Sequence, residues 1–149
     1  MKQIFRWKVL RWFLLVAVVV SVGIQFVPVA RSNPPVEAEA PADPNVRAVL
    51  RRACYDCHSN ATVWPWYSKI APFSWLIARD VYEGPKELNF STWNRYTTKQ
   101  QVKKLKESWE EVVEGEMAPW YYLPVHREAV LSAEDQALLR EWALGATQR

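Results

Sequence analysis

The longest apolar run of the chain stands near its start. Lys2, Arg6, Lys8 and Arg11 precede an almost uniformly hydrophobic stretch from Trp12 to Val29, with Gln25 the one strongly polar residue near its far end. As a helix these 18 residues span about 27 Å, close to the ~30 Å hydrocarbon core of a bilayer. Such a run exceeds the ~7–15-residue apolar core of a cleavable signal peptide. The small-residue cleavage boxes are spoiled too, by Pro28 ahead of Ala30 and Pro41 after Ala40. The pattern predicts an uncleaved transmembrane signal-anchor helix over residues 12–30. Trp7 and Trp12 would sit at the interface, and Arg11 would snorkel toward it. The basic N-terminus, residues 1–11, then stays in the cytoplasm, and the rest lies in the periplasm or its equivalent. The expected location is the inner (cytoplasmic) membrane, crossed once.

Beyond the run the pattern changes twice. Residues 31–44, RSNPPVEAEAPADP, carry four prolines among small and acidic residues. That composition predicts a semi-extended linker reaching up to ~40 Å. From Asn45 onward apolar positions recur at helical spacing, with little strand signal. Val46, Val49, Leu50 and Ala53 share one face. A second helix begins at Phe73 and is expected to stop at Gly84 and Pro85. Thr98 and Gln101 fit a capping box, followed by the stripe Val102, Leu105, Trp109, Val112 and Val113, which ends at Gly115. Ser132 with Asp135 opens a last helix, striped by Leu138, Leu139, Trp142 and Ala146. The expectation is a small all-α domain over residues 45–149 with four principal helices.

Charge adds a topological statement. The formal net charge is +3, and removing the four N-terminal cations leaves −1 for the remainder. The pI of about 8.9 therefore reports membrane orientation, and no basic face for nucleic acid is present. Seven of the nine tryptophans follow the anchor, and most of these large rings read as core.

The chemistry concentrates in ACYDCHSNATVWPWYSKIAPFSW, residues 53–75, which hold the only two cysteines and one of two histidines. Cys54-Tyr55-Asp56-Cys57-His58 has the Cys-x-x-Cys-His form of a c-type haem attachment. Two thiols at that spacing reach two porphyrin vinyl groups to form thioethers, and the next imidazole meets the iron from one side. Three other readings stand beside it. A redox dithiol of the thioredoxin type follows a buried strand, whereas VRAVLRRA is amphipathic and charged. A zinc site wants four Cys or His ligands, and the chain holds two of each. A structural disulfide fits an oxidising compartment but closes only a tiny loop.

An iron held by His58 has a second face. Met117, the only methionine after the anchor, sits in EGEMAPWYYLPVH between the third and fourth helices, and His126 is the other histidine. Met117 is the first candidate for the distal ligand, His126 the second, and an open position the third. A methionine raises the reduction potential relative to a second histidine. Trp64, Trp66 and Tyr67 follow the motif closely, and Trp120 follows Met117. They are candidates to pack on the haem.

CYDCHSN, WPWYSKIAPFSWL, EGPKELNFSTWNRY, VVEGEM and YYLPVHREAVLSAEDQALLREW occur in this order. Together they resemble the cytochrome-c-like haem-binding domain family, from about Val46 to Trp142. The resemblance implies one covalent haem c through Cys54 and Cys57, with His58 as proximal ligand, and favours Met117. Ala118 stands where the family tends to have proline after that methionine, and Arg127 where proline often follows the histidine. The expected function is a membrane-anchored monohaem c-type cytochrome that passes single electrons between redox partner proteins, a carrier more than an enzyme. The alternative is a haem-based sensor or peroxidase-like protein with an open or displaceable distal site. A third is a structural subunit of a larger membrane complex.

Overall fold

The computed structural model describes residues 2–145. Six α-helices are found among them: α1 (Lys2–Gly23), α2 (Pro44–Ala53), the single-turn α3 (Tyr55–His58), α4 (Phe73–Glu87), α5 (Thr98–Glu114) and α6 (Ala133–Gly145). No strand occurs among the described residues, only an isolated bridge between Ala38 and Thr92. The fold is all-α, as the periodicity predicts. The chain divides into two compact units, Met1–Arg31 with Trp64–Arg79, and Ser32–Val63 with Asp80–Arg149.

In the first unit, Arg6–Phe26 is long and apolar enough to cross a membrane, with mean hydropathy 2.1 and none of it buried. Its one amide side chain is satisfied within the unit. Gln25 Nε2 donates to Ser21 O at 2.9 Å and to Ala71 O at 3.2 Å, while Ala71 N donates to Gln25 Oε1 at 2.9 Å. Arg31 Nη1 donates to Ser68 O at 3.0 Å.

The second unit is built on Phe90, 1% exposed, which stacks with Tyr55 and Trp93 and meets Trp142. Around it lie Val46, Val49 and Leu50 of α2, Leu105 of α5, and Leu139 and Ala143 of α6. Helix α2 starts where Asp43 accepts hydrogen bonds from Asn45 N and Val46 N, with Pro44 in the first turn.

Residues 32–43 are extended, but they are not a free linker. Glu37 N and Ala38 N donate to Ser91 O, Ala40 N donates to Phe90 O, and Trp93 N returns a bond to Ala38 O. Ala40 is buried in the core, and Arg95 pairs with Glu37. A chain of small residues with open backbone groups docks readily on an irregular segment that also needs partners.

Other expectations are corrected in detail. Helix α4 continues through Gly84 and Pro85 to Glu87, because Leu88 N still finds Gly84 O at 3.0 Å and carries the turn on. The capping box of α5 is Thr97 with Gln100, one residue earlier than its sequence match. Thr97 is extended and therefore lies outside the helix. Of the seven later tryptophans only Trp93 is fully buried. On α6, Leu139 is buried and Leu138 and Trp142 are half-buried, while Ala146 falls outside the described residues.

Helix α6 opens on Ser132 and Asp135. Ser132 N and Oγ donate to Asp135 Oδ2 at 2.8 and 2.7 Å, and Asp135 N donates to Ser132 Oγ at 3.1 Å. Arg52 Nη2 of α2 approaches Asp135 Oδ1 at 2.5 Å. The hydrogen bond from Arg52, then those from Ser132, hold the carboxyl down at about 2. A carboxyl depressed on folding stabilises above its unfolded value, ~3.9, and loses that contribution as pH falls through the folded one. The parent should therefore melt above Asp135→Asn at neutral pH, with the two melting curves converging between pH ~4 and ~2. A gap that persists unchanged at the acid end would refute this role for Asp135.

Candidate functional site

The site starts from the one-turn helix α3. Cys54 N donates to Leu50 O, and His58 N donates to Cys54 O, so the motif continues directly from α2. This places Cys54 and His58 on the wall of a cavity of about 630 Å³ drawn entirely from the second unit. The His58 ring is fixed from behind. Its Nδ1 lies 3.1 Å from Gly84 O and 3.0 Å from Leu88 O. Carbonyl oxygens only accept, so Nδ1 carries the proton and Nε2 keeps a bare lone pair. Burial, only partly countered by those two carbonyls, pulls the His58 pKa below its ordinary value. The imidazole is thus neutral and ready to coordinate.

Close approach of α4 makes this possible. A Cβ on Gly84 would lie 2.2 Å from Cys57 O and 3.0 Å from Cys57 C. Only glycine lets the α4 backbone come near enough for its carbonyl to reach the His58 ring. On the other side Phe90 N donates to His58 O at 2.8 Å.

Both thiols are free, and burial pushes each up to about 12. Half-buried thiols raised in this way are unlike the depressed thiolate of a redox dithiol. Among the described residues no three His, Cys, Asp or Glu side chains converge as a metal cluster, which disfavours a closed zinc site. Cys57 is not part of the cavity wall, and its carbonyl faces Gly84.

Met117 reaches the same cavity from the end of α5. Gly115, at φ 79°, turns the chain out of the helix, and Glu116 N and Met117 N both donate to Glu111 O. Two tyrosines tie the loop that follows. Tyr121 Oη donates to Asp80 Oδ2 of α4 at 2.8 Å, and Tyr122 Oη donates to Asp56 Oδ2 inside the motif, also at 2.8 Å. The loop bearing Met117 is therefore bonded to the segment bearing the cysteines.

Cys54, His58 and Met117 are thus brought to one cavity. His126 is not: its ring stacks on Tyr122 at 3.9 Å, and its Nδ1 lies 3.0 Å from Glu128 Oε1. Trp120 is 81% exposed and outside the lining, where Tyr121 stands instead. Trp64, Trp66 and Tyr67 belong to the first unit. The aromatic lining comes from Phe90, Trp109, Tyr121 and Trp142. Trp109 and Trp142 lie on stripes that read as core, and a stripe facing a cavity has the same period as one facing a core.

A space of this size, lined by apolar and charged side chains of α2, α4, α5 and α6, is far larger than a packing defect and falls within the ~300–1,000 Å³ of ligand sites. The fold and the cavity together are those of a small helical protein with a ligand-sized pocket. The family model described as haem-binding domain matches residues 19–144, and the chain belongs to that family. Neither the curated proteins nor the solved structures compared with it gave a match.

Haem suits the residues present. The cavity offers a neutral imidazole with a lone pair on Nε2, the thioether of Met117, the thiol of Cys54 and aromatic side chains. Each is a group that haem proteins use.

Proposed function

We propose that the chain is a membrane-anchored monohaem c-type cytochrome that carries single electrons on the periplasmic side of the inner membrane. The carrying observation is His58, whose Nδ1 is turned onto two backbone carbonyls beside a cavity that Cys54 and Met117 share. In this reading Cys54 and Cys57 would hold the haem through two thioethers, a type of bond whose formation from a thiol and a vinyl group needs no oxidant. Haem supplies an iron that changes by one electron. His58 would hold the iron through Nε2, with Gly84 O and Leu88 O orienting its ring and raising its basicity. Met117 would be the second side chain to hold it, and a thioether in that role favours the reduced state. Phe90, Trp109 and Trp142, which line the cavity, would keep water from the group and tune its potential through burial.

The N-terminal cations and the apolar span support the proposed orientation. Residues 32–43 are bonded to the rest of the second unit and so do not act as the free linker their composition suggests.

A potentiometric titration of the full chain in vesicles, followed by visible absorption, tests the reading. It predicts one reversible wave with a slope of about 59 mV per decade, the one-electron value. A spectrum that does not cycle between ferric and ferrous forms would exclude electron carriage. Immediate carbon monoxide binding by the ferrous parent would favour the sensor or peroxidase-like alternative.

A further inference from the structure

The surface around residues 64–75 is apolar in an unusual place. Trp66 is 74% exposed and Phe73 57% exposed, with Ile70 and Trp75 also open and Lys69 among them. On the other side Ser68, Ala71 and Ser74 are buried, so the segment is ordered and presents its rings outward. A patch of this kind needs a cover other than water.

We propose that this loop is a second membrane attachment, lying in the interfacial layer of the leaflet that α1 leaves. The inference rests on reading Arg6–Phe26 as membrane-spanning, and adds to it a monotopic contact by a segment far away in sequence. The hydrogen bonds of Gln25 fix the depth of the loop. Gln25 is the last but one residue of the candidate span Arg6–Phe26, at the end opposite the N-terminal cations, where the chain leaves the hydrocarbon. Gln25 therefore stands at the edge of the hydrocarbon, and Ala71 is bonded to it in both directions.

Energetics favour the same arrangement. An amide left unpaired at that depth costs several kcal/mol. The Ala71 peptide removes that cost for Gln25, and Gln25 removes it for Ala71. A loop held at the hydrocarbon edge then needs side chains suited to the interface. Tryptophan belongs at the headgroup level, Phe73 and Ile70 reach toward the acyl chains, and Lys69 meets lipid phosphate. Arg31, bonded to Ser68 O, supplies a second cation at the same level.

Photo-crosslinking of the full chain in phosphatidylethanolamine–phosphatidylglycerol vesicles tests this, with p-benzoylphenylalanine replacing one residue at a time and lipid adducts read by mass on the digested chain. The positions are Trp66 and Phe73 in the loop, Leu15 in the span, and Val113, an exposed apolar residue of the second unit. Adducts at Trp66 and Phe73 should come within about threefold of Leu15 and exceed Val113 by ~10-fold, as expected for side chains in the interface. Gln25→Ala should lower the Trp66 yield several-fold while leaving Leu15 unchanged. If Leu15 gives lipid adducts but Trp66 and Phe73 match Val113, the loop is out of the lipid and the inference is wrong. Adducts to a protein at Trp66 would overturn it in favour of a protein partner. If Leu15 itself gives none, the spanning helix fails and the inference with it.

Discussion

Gly84→Ala is expected to cost the folded chain about 3 kcal/mol, at the upper end of what overpacking does. Propensity alone argues the other way, because alanine in a helix interior is favoured over glycine by ~0.8–1.0 kcal/mol. Space decides the sign. The new methyl would lie 2.2 Å from the Cys57 carbonyl oxygen and 3.0 Å from its carbon, and both are backbone atoms that cannot rotate aside. Relief requires α4 and the motif to separate, which also pulls Gly84 O away from His58 Nδ1. The variant should melt well below the parent and show a weakened axial-ligand signature in whatever fraction folds. Gly145→Ala is the control, since a Cβ there meets nothing within 4 Å, and it should be neutral or slightly stabilising. Equal melting points for Gly84→Ala and the parent would refute the close approach.

The second large effect concerns the distal face. If Met117 closes the sixth position as proposed, Met117→Ala should keep its covalent haem and lose the long-wavelength sulfur-to-iron band of the ferric state. It should also gain carbon monoxide affinity by at least ~100-fold, about 2.7 kcal/mol. Its reduction potential should fall, because a thioether ligand favours the ferrous iron. Stability should change little, since Met117 sits 38% exposed at a loop and the tyrosine bonds to Asp80 and Asp56 remain. A parent that binds carbon monoxide as readily as the variant would remove Met117 from the iron. His126→Ala should leave spectrum and affinity as in the parent, given the stacking of that ring on Tyr122 outside the cavity.

Where sequence and structure agree, one local rule suffices. The apolar span needs only composition, α2 needs only the stripe of Val46, Val49, Leu50 and Ala53, and α6 is announced by Ser132 with Asp135. The motif Cys54 to His58 is legible because its chemistry lies within five consecutive residues. Where they part, the deciding partner is distant in sequence. Residues 32–43 have the composition of a tether, and nothing local shows that their backbone pairs with residues 90–93. Gly84 and Pro85 read as a helix end, because the need for glycine comes from Cys57, which lies 27 positions earlier. Trp120, Tyr121 and Tyr122 sit in a loop without period, so their order cannot say which ring turns inward. Asp80 and Asp56 settle that by accepting from the two tyrosines and leaving the tryptophan outside. The stripe of α5 was legible as a stripe. Its lining of a cavity was not, because a helix face turned to a cavity carries the same period as one turned to a core.

The most direct measurement is the mass of the denatured full chain, produced with haem-attachment machinery, beside the Cys54→Ser/Cys57→Ser double variant. The account predicts that the parent retains the mass of one haem after denaturation and organic extraction, with both cysteines blocked to alkylation. The double variant should retain none. A denatured parent at the mass of the bare polypeptide, with two thiols that alkylate or pair as a disulfide, would contradict covalent attachment and with it the central claim.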